Sequence, residues 1–276
     1  MLQLIVLSSG SAGNCAVVCS GQSRLLIDAG LSAARLKERL LASGIPPESL
    51  SAILLTHEHG DHARGLDVLT RHLPLPILCN ERTRAMLQDS CKSPKNWHLI
   101  PSTGNFTFAD LEIDTFTVPH DAADPVGLVL RHRGAALGIL SDAGHVTPLM
   151  RRKLQDLDTL FIEANYDPDL LSNDTKRPWS TKLRIQGPHG HLSNAQTAAC
   201  VADLLSPRLR RILLGHLSED CNSPDLAAAA VRAALAAHQR HDIELLCASA
   251  HQPTPWFQVR PSAPPLGEAR YQADLF

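Results

Sequence analysis

The chain has 276 residues, with 26 Lys and Arg against 28 Asp and Glu, and a formal net charge of −2. No global field draws it to nucleic acid or membrane, so any polyanion must be met by a local patch. Hydrophobic residues make up 44% and charged residues 20%, which excludes disorder over most of the length. The longest apolar runs, such as Leu2 to Leu7, suit strands and fall short of the roughly 20 residues of a membrane span. The first residues lack the basic region and long apolar stretch of a secretory signal. The expectation is a cytoplasmic protein with no membrane partner. Its seven cysteines form no C-x-x-C pair and read as small buried apolar residues.

In chain order, Leu2–Leu7, Cys15–Cys19 and Arg24–Asp28 read as strands, with Ser9-Gly-Ser-Ala-Gly-Asn14 as the first turn. Ser32–Ser43 reads as a helix stopped by Gly44 and the Pro46-Pro47 pair. Ala52–Leu55 is a buried strand, Ile77–Cys79 another, and Asn80 caps a helix to about Gln88. Phe106–Phe108 with Leu111–Val118, and Val126–Arg131 with Ala135–Leu140, read as hairpins. Thr159–Glu163 is a strand, Ser193 caps a helix through about Leu205, and Arg211–Leu214 is a strand. Pro224–Ala237 is an alanine-rich helix, and Ile243–Cys247 a last strand. Strands interleaved with helices argue an α/β layered domain. Asp28-Ala29-Gly30 and Asp142-Ala143-Gly144, each after a strand, form a weak internal echo. Five prolines follow His251, so the expected organisation is a domain over residues 1–250 and an extended tail over 251–276.

Chemistry concentrates in His57-x-His59-x-Asp61-His62, directly after a strand. Neutral imidazole and carboxylate suit zinc, and carboxylate admits manganese. In a tight loop His57 and His59 can face one ion while Asp61 and His62 face another. The plain alternative is a solvated polar loop, but such loops rarely stack donors this densely. His120, Asp142 and His216 each stand at the C-terminal end of a strand, and strand ends along one edge converge. His191 and His189 flank Gly190, and either could be exposed. His191 adjoins the start of a helix, where N–H groups favour anions. Lys176, Arg177, Lys182 and Arg184, with Trp179 among them, could hold a nucleic-acid backbone and stack a base, or be a solvated face.

This pattern resembles the metallo-β-lactamase fold superfamily of metallohydrolases over about residues 1–250. The resemblance implies a four-layer αββα sandwich with two divalent ions, Zn or Mn, at one edge. One ion would take His57, His59 and His120, and the other Asp61, His62 and His216, with Asp142 bridging. Phe161-Ile-Glu163-Ala-Asn165 and Gly190-His191-Leu192-Ser193-Asn194 resemble motifs of the phosphodiesterase branch, tRNase Z and RNase J. Together with the Leu7–Cys15 segment and Val118-Pro-His-Asp-Ala122, they most resemble the YycJ/WalJ-type subfamily, similar to 5′→3′ exonucleases acting on DNA.

That resemblance implies a metal-dependent phosphodiesterase in replication-linked repair, in which the ions supply a hydroxide nucleophile. Asp61, His191 and Glu163 are its catalytic residues. His191 would act as acid or phosphate donor, with Glu163 orienting it or forming a structural ion pair. Lys182, Arg184, Ser193 and Asn194 are the expected substrate contacts. The last five residues, Gln272 to Phe276, resemble the Gln-x-x-Leu-Phe peptide that docks on the bacterial sliding clamp. Gln272, Leu275 and Phe276 would make that contact, unless they form a strand on the core. The alternatives are a tRNase Z-like RNA nuclease, a small-molecule thioesterase, and a clamp-bound adaptor.

Overall fold

The computed structural model describes residues 1–93 and 96–261. One seven-stranded sheet contains β1 (Leu2–Ser8), β2 (Cys15–Cys19), β3 (Arg24–Ile27), β4 (Ala52–Leu54), β5 (Ile77–Cys79) and β6 (Trp97–Leu99). A second contains β7 (Gly104–Phe108), β8 (Leu111–Thr117), β9 (Val126–His132), β10 (Ala135–Leu140), β11 (Thr159–Glu163), β12 (Arg211–Gly215) and β13 (Glu244–Cys247). The chain then returns to add β14 (Phe257–Val259) beside β1 in the first sheet. The helices are α1 (Ala33–Ala42), α2 (Gly60–Ala63), α3 (Leu66–His72), α4 (Glu81–Leu87), α5 (Pro148–Lys153), α6 (Pro168–Asn173), α7 (Trp179–Gln186), α8 (Asn194–Asp203) and α9 (Pro224–Ala237).

Period-two alternation assigns the strand faces. On β1, Leu2, Leu4 and Val6 join Leu128, Leu130, Leu137 and Ile139 in a core between the sheets. Ile5 and Leu7 point the other way, into a layer with Leu36, Leu40 and Leu66 of α1 and α3. The outer face of the second sheet packs Leu160, Ile162, Ile212 and Leu214 under Met150, Val201 and Val231 of α5, α8 and α9. This is the expected αββα sandwich.

The Asp-Ala-Gly echo is structural. β3 and β10 each run antiparallel to the strand before them and parallel to the strand after them. Each ends in an Asp with left-handed backbone, φ 59° at Asp28 and 57° at Asp142. The parallel strands β3–β4 and β10–β12 bring their C-terminal ends to the edge where the histidines collect, the usual place for a site on parallel strands.

One expectation is corrected. The tail does not begin at residue 251: Thr254 hydrogen-bonds Val6, and Phe257 and Val259 are buried in the inter-sheet core. The basic stretch before His191 carries a helix where the sequence pointed to no element, α7 over residues 179–186. Gln272, Leu275 and Phe276 lie outside the described residues. The cysteines are free and, apart from half-buried Cys247, buried; burial pushes Cys79 and Cys200 up to about 12.

Candidate metal centre

The loop after β4 is braced by Asp28 before any donor is counted. Asp28 Oδ1 accepts the Thr56 N–H and Oδ2 accepts the Thr56 hydroxyl, both at 2.8 Å. The same Oδ2 lies 2.8 Å from His62 Nδ1. A carboxylate accepts, so His62 carries its proton on Nδ1 and presents Nε2 to the site. Thr56 Oγ1, having donated to Asp28, accepts from His57 Nδ1 at 3.1 Å, and His57 Nε2 is left. Gly30 lets the backbone close over this loop: a Cβ there would lie 1.6 Å from the Asp61 carbonyl oxygen.

Carbonyls orient the next two rings. His59 Nε2 lies 3.2 Å from the Asp121 carbonyl and His120 Nδ1 lies 2.9 Å from that of Gly190. Lone pairs therefore remain on His59 Nδ1 and His120 Nε2. Donor atoms of His57, His59 and His120 fall within 4.8 Å of one another, as do those of His57, His62 and Asp142. On the other side, Asp61 Oδ2 is 3.5 Å from His62 Nε2 and 3.6 Å from His216 Nε2. Asp142 sits between the halves. Its Oδ2 is 3.1 Å from His62 Nε2, and its Oδ1 is 3.0 Å from His216 Nδ1 and 3.8 Å from His120 Nε2. All seven expected donors thus meet at one edge.

Electrostatics fit a cation. Burial, reinforced by His62, pushes His57 well below the imidazole range. Burial disfavours charge on His62, but Asp142 and Asp28 outweigh it and hold its pKa well above that range, so a proton stands on Nε2 where a divalent ion would bind. Burial would raise Asp142 and Asp61, yet His216 and His62 hold Asp142 far down, and His62 does the same for Asp61. His57 Nε2 is buried and has no hydrogen-bond partner. A buried lone pair beside other imidazoles and carboxylates suits a divalent ion of the zinc or manganese kind.

His191 and Glu163 adjoin this cluster. His191 Nδ1 lies 3.0 Å from Glu163 Oε1 and 3.7 Å from Asp142 Oδ1. Burial opposes the charged ring, but Glu163 outweighs it and raises His191 to about 9. His189 is exposed. A cleft of about 220 Å³ opens over the centre, with Ser11, Thr181, Arg184 and His191 on its walls.

The expected substrate contacts divide. Arg184 lines the cleft and pairs with Asp121. Lys182 does not face it: its side chain is buried and Nζ donates to the Ser172 carbonyl at 2.7 Å. Ser193 is spent capping α8, its Oγ accepting the Gln196 N–H at 3.3 Å. Asn194 is buried against Asn222, 2.9 Å away. With 3.6 residues per turn, Trp179 and Leu183 project from the face of α7 opposite Thr181, Arg184 and Ile185, so Trp179 points away from the cleft. Lys176 and Arg177 pair with Asp220 and Asp174. The residues that sequence reasoning left without a role are Asp28, Thr56 and Asp121; the signal for Asp28 was its Asp-Ala-Gly echo with Asp142.

Residues 23–216 match the family described as Beta-lactamase superfamily domain. The chain is 36% identical over 228 residues to Exodeoxyribonuclease YycJ of Bacillus anthracis, covering 82% of this chain and 86% of that one. It is 35% identical over 226 residues to Exodeoxyribonuclease WalJ of Streptococcus pneumoniae, covering 80% and 84%. The metallo-beta-lactamase fold protein YhfI of Bacillus subtilis superposes with a TM-score of 0.70 at 16% identity, covering 92% of this chain and 99% of that one. That likeness speaks to the fold.

Proposed function

The chain belongs to the beta-lactamase superfamily, and from that premise we propose that it is a two-ion hydrolase that degrades DNA from 5′ ends in replication-linked repair. The observation that carries this reading is the meeting of seven donors at one edge, the His57 Nε2 among them buried and without a hydrogen-bond partner. The two relatives named exodeoxyribonucleases support DNA as substrate. The Glu163–His191 pair at 3.0 Å supports a phosphodiester, because it sets a proton-bearing ring beside an anion-neutralising centre.

His57, His59 and His120 would hold one divalent ion and Asp61, His62 and His216 the other, with Asp142 shared. Such ions supply Lewis acidity that activates water and draws charge from the phosphate. The chain's own residues do the rest. Glu163 accepts from His191 Nδ1 and so leaves Nε2 to donate to the phosphate or to the leaving oxygen. Arg184, on the cleft wall, meets the strand's phosphates. Gln272, Leu275 and Phe276 tether the enzyme to the bacterial sliding clamp.

The test is digestion of 5′- or 3′-end-labelled single- and double-stranded DNA and RNA of one sequence, with Mn²⁺ or Zn²⁺. Early release of the 5′ label from DNA supports the reading. Efficient cleavage of RNA with DNA untouched transfers it to an RNA-processing nuclease.

A further inference from the structure

The turn between β1 and β2, Ser9-Gly10-Ser11-Ala12-Gly13-Asn14, has no part in the chemistry above. Its contacts are selective. Asn14 Oδ1 accepts the Gly10 N–H at 2.9 Å, which fixes which end of the amide is the donor. Asn14 Nδ2 then donates to Asp61 Oδ2 at 3.2 Å and lies 3.1 Å from His62 Nε2. The Asn14 backbone N–H donates to the Asp61 carbonyl at 2.7 Å. Ser9 Oγ accepts the His216 N–H at 2.7 Å. His216 needs holding: its φ of 52° is uncommon for a residue with a side chain. Among the described residues the turn makes no hydrogen bond to His57, His59 or His120.

We infer that this turn is the positioning device for one half of the centre, the Asp61–His62–His216 half, with Asn14 aiming the Asp61 carboxylate and Ser9 fixing the His216 backbone. The Asn14 amide also lies 3.1 Å from His62 Nε2, so it borders that donor as well as the Asp61 carboxylate. The turn is stiff enough for the task. Ser8 Oγ donates to the Gly13 carbonyl at 2.8 Å, and Gly13 N–H closes on the Gly10 carbonyl at 3.0 Å. Outer residues that orient metal ligands are typically worth about 10–100-fold in metal affinity. Here the effect falls on one ion and spares the other.

The inference rests on the two-ion reading, and the experiment separates them. Full-length protein is stripped, then titrated with Zn²⁺ against a chromophoric chelator, with circular dichroism confirming the fold. The wild type should show two binding events. Asn14→Ala should weaken one of them about 10–100-fold and leave the other within about two-fold. Ser9→Ala should act on the same event, and it carries the test alone if Asn14→Ala does not fold. Two wild-type events that the folded variants leave alone, or weaken equally, would overturn the inference and leave the two-ion reading standing. A single event in the wild type would overturn both.

Discussion

Glu163 is joined to His191 by Oε1, 3.0 Å from Nδ1, while its Oε2 accepts the Ala143 N–H at 2.9 Å, one residue after Asp142. Oε1 also takes the Leu192 N–H at 3.0 Å. One fully buried carboxylate therefore registers the ring against the residue shared by both halves of the centre. A ring so fixed pays little to reach its working geometry.

Removing that ring should separate chemistry from metal binding. His191→Ala should lower kcat by about 10²–10⁴, the worth of a positioned acid or base. Elemental analysis should find wild-type metal content. Glu163→Gln should lower kcat less, because the ring survives but loses its orientation. A crippled His189→Ala beside a normal His191→Ala would move the assignment by two residues.

Asp142 allows a cleaner substitution than deletion to alanine. Its φ of 57° is tolerated by Asn at little cost, whereas Ala there would add backbone strain. Asp142→Asn should therefore stay folded, bind less than the wild-type amount of metal and lose hydrolysis. Full activity in Asp142→Asn, or undiminished wild-type activity in excess chelator, would dismiss the proposed centre.

These donors were legible in sequence because four crowd one short segment after β4 and the other three follow the C-terminal ends of strands, which alternation already placed. What escaped was what depends on distant neighbours. β14 has only three residues, too few for a period, and its partner β1 lies at the other end of the chain. Lys182 reads as a free cation until α6 brings the Ser172 carbonyl over it. The Asn14 turn could be seen as a motif, but not that its amide ends on Asp61.

The burial of Lys182 divides what the sequence had grouped. Arg184→Glu should weaken DNA binding and reduce the salt slope by about 1, as loss of one phosphate contact does. Lys182→Ala should leave DNA binding near wild type and cost about 1–3 kcal/mol of stability, from a lost charged hydrogen bond. Denaturant melts with filter binding at several salt concentrations would show both. A Lys182→Ala protein of normal stability and weakened DNA binding would restore Lys182 to the substrate face.

Two truncations should behave oppositely. Ending the chain at Trp256 removes β14, and with it Phe257 and Val259, 6% and 2% exposed in the core between the sheets. Loss of a buried Phe alone costs about 3–5 kcal/mol, so this protein should melt early or aggregate. Removing only residues 272–276 takes away none of the described contacts. That protein should melt with the wild type and digest free oligonucleotides at the same rate. What it should lose is retention on immobilised bacterial sliding clamp, where Leu275 and Phe276 would each contribute about 1.5–3 kcal/mol by burial. Tethering through Gln272, Leu275 and Phe276 raises the enzyme's local concentration at clamp-loaded DNA without touching the centre, so digestion should depend on the tail only when the clamp is present. A full-length protein that ignores the clamp would sink the tether. So would a short truncation that lowers the melting temperature by several degrees, because Leu275 and Phe276 would then belong to the fold.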